Sequence, residues 1–532
     1  MWSKKDWDGI RENCIGWECC TYGDKLDQWA REYKDRVALT DENSSLTYSQ
    51  MRDGINRVAA HFLEMEIKKD QKVLVQLYNS IEYIFAVMGL FKIGAIPVLM
   101  LPTQGYYELN GISETARPIA YIGPRRFMET DYKALAERLK EEHKFVKHLI
   151  YIDQIREFAC DDKADIEKYN FEKPNYKDVA MLLLSGGTTG IPKLIPRTHG
   201  DYIYNNKIMA ERCKLCGETV FLAVLPAAHN FTWGNPGVLG TFAAGGKAVM
   251  CNCPMPMEIL RLIEEEKVTF TSMVPALLEM CMDYRNIDKE NDLSTLKFII
   301  VGGAMLRQKT AEEADDVMEC NLLQIYGTAE GLNCCYFPDD SREKRLSCQG
   351  IPISLYDQIL IVDEQDRPCP DGRSGELITK GPYTITEYYV NIKANENCFT
   401  KDGYYRTGDK AMIMPDGGIL IIGRCKEQIN RAGEKIMPAE VEECICRHEL
   451  VDGCAVVGIE DDLVGNKIAA FIKSQDVMTL TEIKDHLKNV GIAQYKMPDV
   501  IFNVDDFPYT AVKKIDKKAL TRWAQESLKE NA

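Results

Sequence analysis

The stretch "LLLSGGTTGIPKLIPRTH", residues 182–199, joins an apolar run to a cluster of glycines, hydroxyls and cations. Gly186 and Gly187 permit positive φ and close backbone approach, so several N–H groups can converge on one anion. Ser185, Thr188 and Thr189 add hydroxyl donors, and Lys193 adds a flexible positive charge. Such a set of donors forms a polyphosphate cradle; the plainer alternative is a solvent-exposed polar turn. It is not a P-loop, because no Gly-Lys-Ser/Thr follows at the required spacing.

The cysteines carry a weaker signal. Cys213 and Cys216 have CxxC spacing, but a zinc site needs about four ligands, and neither a second pair nor a nearby histidine supplies them. Cys251/Cys253 and Cys444/Cys446 are weaker still. A chain of 532 residues with 19 cysteines lacks the density of a disulfide scaffold, so free thiols in a reducing cytoplasm are expected. The net charge of -16 argues against a general nucleic-acid binder.

The elements that must position these residues follow from periodicity. Strand-like runs such as "VFLAVLPA", "KAVMCN", "LKFIIVGGA" and "NLLQIYG" alternate with amphipathic stretches such as "PMEILRLIEEEK" and "RQKTAEEADDVMEC". This alternation predicts an α/β fold with parallel-rich sheets. The apolar run 81–101 contains Glu82 and Lys92 and breaks at Gly94 and Pro97, so together with "KVLVQLY" before it the run reads as a strand–helix–strand unit rather than a membrane span. The N-terminus has no apolar core of signal-peptide length, and no repeat or low-complexity tract is visible. From about Gln349 short strands flank a Pro/Asp/Gly turn, as in a small β-barrel-like part. A short α+β segment follows. A boundary near Lys426 and Glu427 divides a large N-terminal domain, 1–426, from a small mobile C-terminal domain, 427–532.

Five stretches, "SGGTTGIPK", "IYGTAEG", "YYRTGD", "GRCKEQINRAGEKIMPAEVE" and "PYTAVKKIDK", stand in the order and spacing of the adenylate-forming enzymes. That superfamily comprises acyl-CoA synthetases, nonribosomal-peptide adenylation domains and luciferases. The resemblance covers nearly the whole chain. "LPAAHNF" and the extended loop motif make it most similar to the stand-alone aryl-acid adenylating enzymes of siderophore pathways, whose members activate 2,3-dihydroxybenzoate or salicylate.

The resemblance implies an enzyme with two half-reactions. A carboxylate attacks the α-phosphorus of ATP, and a pantetheine thiol then takes the acyl group from the adenylate. It implies Lys514 as the catalytic cation and Glu330 as the Mg²⁺ ligand. Asp409 and Arg424 would hold the ribose; Gly302, Gly303, Ala304 and Tyr326 would form the adenine slot, with Gly327 and Thr328 beside the nucleotide. His229 would line the acid pocket near the carboxylate, with Asn230 facing an ortho-hydroxyl and Phe231, Asn235, Ile325 and Asn333 around it. Glu427 stands at the hinge, usually aspartate, and Gly433 in the loop of the second half-reaction. Lys513 replaces a usual glycine. Asn235 and Asn333 replace a usual serine and valine, and two buried amides call for substrate groups or ordered water to satisfy them. The acceptor is a separate carrier protein or, alternatively, free coenzyme A. A non-catalytic adenylate- or aryl-acid-binding protein would be expected to lack Lys514, Glu330 or Asp409; all three are present.

Overall fold

The computed structural model describes residues 9–185, 192–431, 434–461, 465–490, 492–510 and 514–530. They form two compact units. The first comprises Met1–Leu306, Thr310–Gln358 and Thr379–Tyr405; the second comprises Arg307–Lys309, Ile359–Ile378 and Arg406–Ala532. Lys426 and Glu427 lie inside the second unit, because the four-stranded sheet described below groups with the C-terminal segment.

The first unit is built on two sheets. In the six-stranded sheet, His148–Tyr151, Ala120–Gly123, Lys72–Val75, Ile96–Leu99 and Val179–Leu184 lie side by side and pair in parallel. The last strand, Leu194–Thr198, turns back antiparallel on Val179–Leu184. Strands covered on both faces read as continuous apolar runs, which is why "IPVL" shows no alternation. The helix Ile81–Ile93 links two of these strands. Ser80 caps it by accepting from the Tyr83 amide, Gly94 at φ 72° ends it, and only Lys92 escapes burial. The run 81–101 is thus the helix and second strand of a strand–helix–strand unit that begins at Lys72–Val75, and among the described residues no helix is long and apolar enough to cross a membrane.

The eight-stranded sheet is parallel through its centre. Phe298–Val301, Phe270–Met273 and Val220–Ala223 are neighbours, and their first aromatic residues stack in register. Ring centroids are 4.7 Å apart for Phe221 and Phe270, and 5.1 Å apart for Phe270 and Phe298. This ladder aligns three strands so that their C-terminal ends meet at one edge, where loops of open α/β sheets bind ligands. The strand Asn321–Thr328 extends the sheet and forms an antiparallel hairpin with Gly331–Cys335.

The second unit contains a four-stranded sheet, Gln358–Val362, Gly375–Lys380, Tyr405–Ile413 and Ile419–Arg424, in that order. A three-stranded sheet follows, with Val451–Asp461 antiparallel to Gly465–Ser474 and Val500–Asn503 parallel to it. The helix Lys517–Glu530 brings Trp523 within 5.3 Å of the buried ring of Phe471, which also stacks on Phe502 at 4.8 Å. All 19 cysteines are free thiols, and among the described residues no cluster of three or more groups could hold a metal ion.

Deleting a buried phenylalanine ring typically costs about 3–5 kcal/mol. Phe471→Ala is therefore expected to lower the stability of the second unit by that amount. The midpoint of the Trp523 fluorescence transition in denaturant measures it.

Candidate functional site

The residues of the "SGGTTGIPK" loop are carried by a β-hairpin. Leu184 pairs with Leu194. The Ser185 amide donates to the Lys193 carbonyl, and the Lys193 amide donates to Ser185 Oγ, each at 3.0 Å. A strand, Leu194–Thr198, rather than a helix follows the loop. Gly186, Gly187, Thr188 and Thr189 lie outside the described residues. Lys193 Nζ donates to the Tyr388 hydroxyl at 3.0 Å and lies 4.1 Å from that ring's centroid. The Tyr388 hydroxyl donates in turn to Glu330 Oε1 at 2.7 Å. Burial first, and then the Glu330 carboxylate, push the Tyr388 pKa well above its ordinary value, so the hydroxyl stays a donor. A cation and a carboxylate are thereby joined through one phenol.

Glu330 sits at the tip of the hairpin between Thr328 and Gly331. Arg197 fixes that tip. Its Nη1 donates to the Ala329 carbonyl at 2.9 Å, its Nη2 to the Tyr383 carbonyl at 3.0 Å, and its Nε to Asp201 at 2.9 Å. Both members of this ion pair are buried. Beyond the tip, Gly331 has φ 131°, and a Cβ there would lie 2.5 Å from Thr384 Cα. Leu332 follows with φ 60°, a conformation a branched side chain rarely adopts. Such backbone strain is held by surrounding packing and clusters at functional sites.

The acid-pocket residues come together in the same unit. His229 caps the helix Asn230–Gly234, its Nδ1 accepting from the Phe231 amide at 3.2 Å. That bond leaves Nε2 as the protonated nitrogen of the neutral ring, a hydrogen-bond donor. Asn79 braces the preceding loop, donating to the carbonyls of Ala223, Leu225 and Cys251 and accepting from the Ala227 amide. The Tyr202 hydroxyl donates to Asn230 Oδ1 at 2.8 Å. Asn235 and Asn333 are 3% and 2% exposed and form a cluster with Asn205. Sequence alone calls for substrate or water to satisfy both amides; most of that demand is met by the amides themselves. Asn333 Oδ1 alone among their side-chain oxygens and nitrogens is buried without a partner.

Ile325 and Tyr326 lie on the strand Asn321–Thr328, with Gly327 and Thr328 following. Gly302 is needed for contact: a Cβ there would lie 2.5 Å from Ile325 Cγ2. Gly303 has φ 83°, and Gly303 and Ala304 are exposed at the end of the strand Phe298–Val301.

The second unit holds the remaining candidates. Asp409 and Arg424 are register partners on antiparallel strands and form an ion pair at 3.0 Å. Arg424 also donates to the Thr407 carbonyl at 3.0 Å. Asp409 is buried and Arg424 half exposed. The Thr510 amide donates to the Lys514 carbonyl at 2.7 Å, and Lys513 lies outside the described residues. Lys514 is exposed. Desolvation of its ammonium, then the Arg424 charge, lowers its pKa, with Asp409 and Glu427 opposing. Glu427 lies 3.4 Å from Lys517 Nζ, which also meets Glu442 at 2.7 Å. Gly433 is outside the described residues.

A family model described as AMP-binding enzyme matches residues 26–389, and its C-terminal domain model matches residues 440–514. The chain belongs to the AMP-binding enzymes. It is 40% identical to a 2,3-dihydroxybenzoate-AMP ligase of Bacillus subtilis, over 96% of this chain and 95% of that one. It is 36% identical to a salicylyl-CoA synthase / salicylate adenylyltransferase of a Streptomyces species, covering 98% and 96%. Among solved structures, the apo structure of Mycobacterium smegmatis MbtA matches with a TM-score of 0.76 at 33% identity, covering 98% of both chains.

Four residues of this AMP-binding enzyme escape sequence reasoning: Tyr388, Arg197, Asn205 and Asn79. Arg197 and Asp201 stand four apart, a spacing that points to a helix-face pair but not to its burial. Nothing in "TEYYVN" separates buried Tyr388 from its neighbour Tyr389.

Removing one partner of a buried ion pair leaves an uncompensated charge and costs about 3–5 kcal/mol. Arg197→Leu is expected to lose that much in denaturant unfolding, and Arg197→Leu/Asp201→Leu to recover part of it. A second expectation concerns Asp357, whose carboxylate accepts from the Tyr383 hydroxyl at 2.8 Å while that hydroxyl accepts from the Asn333 amide at 2.9 Å. Burial raises the Asp357 pKa to about 7, against the opposing Tyr383 bond. The native state then binds more protons than the unfolded chain between the ordinary carboxyl pKa and about 7. Stability from this group is full below that range and is lost as pH rises through it. Asp357→Asn is expected to flatten the fall in melting temperature over that interval.

Proposed function

We propose that this AMP-binding enzyme uses ATP to convert a 2-hydroxy-aryl carboxylic acid to its acyl adenylate, then passes the acyl group to the pantetheine thiol of a carrier protein. The observation that carries the reading is the line Lys193–Tyr388–Glu330, in the same unit as His229 and Asn230. In the first half-reaction a carboxylate oxygen bonds to the α-phosphorus, and the bond from that phosphorus to the oxygen bridging to the β-phosphate breaks. Lys193 and the hydroxyls of the hairpin loop bind the departing pyrophosphate. Lys514 stabilises the charge that develops on the α-phosphate. Asp409 accepts from the ribose hydroxyls, and the backbone at Gly302–Ala304 admits the flat base.

A single buried carboxylate suits a hard cation that takes its other ligands from phosphates and water, so Glu330 fits Mg²⁺. When bound, Mg²⁺ neutralises polyphosphate charge. Asn230 meets the ortho oxygen of the acid, and the Nε2–H of His229 lies to the carboxylate side. In the second half-reaction the sulfur of the thiol bonds to the acyl carbon, AMP leaves, and the thiol proton passes to solvent. Residues 427–532 move about Glu427 between the two steps, withdrawing Lys514 and bringing in the segment at Gly433. The free thiols support a cytoplasmic location. The salicylyl-CoA synthase relative supports a second reading, with coenzyme A as the acceptor.

The test is acid-dependent ATP–pyrophosphate exchange. Exchange with an aromatic 2-hydroxy acid is expected, reduced on the order of 10²–10³-fold in Lys514→Ala, as when one charge-stabilising donor is removed. Glu330→Gln is expected to weaken the Mg²⁺ dependence. Exchange confined to aliphatic acids, or none at all, overturns the aryl-acid reading.

A further inference from the structure

A groove in the first unit lies apart from the residues discussed so far. The helix Tyr22–Glu32 forms one wall, the helix His199–Arg212 the other, and the helix Gly237–Ala243 the floor. The space between them is about 350 Å³, within the range of small-molecule sites. Small side chains keep it open: Ala210, Ala243 and Ala244 line it where longer residues would fill it. Trp29 and Leu239 supply apolar surface.

The charges in the groove are sorted by end. Lys25 and Lys207 share one carboxylate, Glu18: Lys207 Nζ lies 2.9 Å from Oε1, and Lys25 Nζ pairs with Oε2. Lys25 also donates to Gln28 Oε1 at 3.0 Å. An ammonium has three protons, so each lysine keeps at least one to offer, and this end is positive. Glu32 follows Lys25 by seven residues and Glu211 follows Lys207 by four, about 10 Å and about 6 Å along their helices. Tyr22 reaches Asn206 near the lysines, and the Tyr33 hydroxyl donates to the Ala243 carbonyl at 3.4 Å at the far end, so both walls run from lysine to glutamate. Among the described residues Glu32 accepts from neutral groups, the Gln28 amide at 2.8 Å and the Tyr33 hydroxyl. Glu211 is exposed and has no ion-pair partner among them. Arg36 lies 6.0 Å from the Tyr33 ring centroid, outside the lining.

One side chain ties the groove to the acid pocket. The Tyr22 hydroxyl donates to Asn206 Oδ1, and Asn206 Nδ2 donates to the Gly234 carbonyl at 2.8 Å. Asn205 of the amide cluster donates to the same carbonyl at 3.2 Å. We propose that this groove is a second ligand site, for a linear ω-amino acid, and that its occupant alters the affinity for the aryl acid through Asn206. The carboxylate meets Lys25 and Lys207, the ammonium meets Glu32 and Glu211, and the methylene chain covers Trp29 and Leu239. The site is independent of the adenylation reading; its coupling to the aryl acid rests on that reading.

The test is calorimetry on the purified full chain with 6-aminohexanoate, against hexanoate and hexylamine, which each lack one charge. The zwitterion is expected to bind saturably, on the order of 10-fold tighter than either twin, as when one charged hydrogen-bonding group is lost. Lys207→Met and Glu211→Gln, both at accessible side chains, are each expected to weaken it by a similar factor. In ATP–pyrophosphate exchange, saturating 6-aminohexanoate is expected to shift KM for the aryl acid several-fold, and Glu211→Gln to remove the shift. No binding, binding no tighter than the twins, or binding unchanged in both variants overturns the site. Binding as expected with KM unmoved overturns the coupling and leaves the site standing. Absence of exchange with every aromatic acid overturns the adenylation reading and leaves the calorimetric result as it is.

Discussion

The buried guanidinium of Arg197 is the constraint on which the rest of the site depends. It is 1% exposed and its donors reach three separate segments. One bond holds the Ala329 carbonyl, which presents Glu330 to Tyr388 and Lys193. Another holds the Tyr383 carbonyl, and the Tyr383 hydroxyl meets both the Asn333 amide and Asp357. Asp201 balances the charge that these two carbonyls only partly solvate. A buried ion pair is weak evidence of stability by itself, because desolvation offsets most of the attraction. Here its value is geometric: one planar fork sets the hairpin tip relative to the strands on either side.

The fold was largely legible in the sequence. "VFLA", "KAVM", "FIIV" and "IPVL" read as parallel strands because strands covered on both faces need no polar residues. The strand–helix–strand reading of 72–101 held because Gly94 supplies the left-handed residue that ends the helix. What periodicity could not carry was the grouping of the second unit. Contacts across the four-stranded sheet decide it, and no local pattern encodes them.

The site was legible where chemistry is written in the motif and illegible where it depends on pairing across distant segments. Ser185, Lys193 and Glu330 stand out by residue type and context. Tyr388 does not, because its role comes from two partners 195 and 58 residues away in the chain. Asn235 and Asn333 were legible as amides where the resemblance implies serine and valine. Their mutual satisfaction was not, since it requires Asn205 from a helix that carries no functional motif. Counting partners reduces two unmet amides to one unmatched oxygen, Asn333 Oδ1.

The contact between Lys193 and Tyr388 bears on how the site empties. An ammonium with no protein partner would cling to any polyphosphate that reached it, and product would leave slowly. Lys193 instead has a resting place on a phenol that burial keeps protonated. On the proposed reading, arrival of a nucleotide would exchange one partner of Lys193 for another, and departure of pyrophosphate would return the cation to the ring rather than to water. The tyrosine would then compete with the product, and that competition would favour repeated turnover over tight binding.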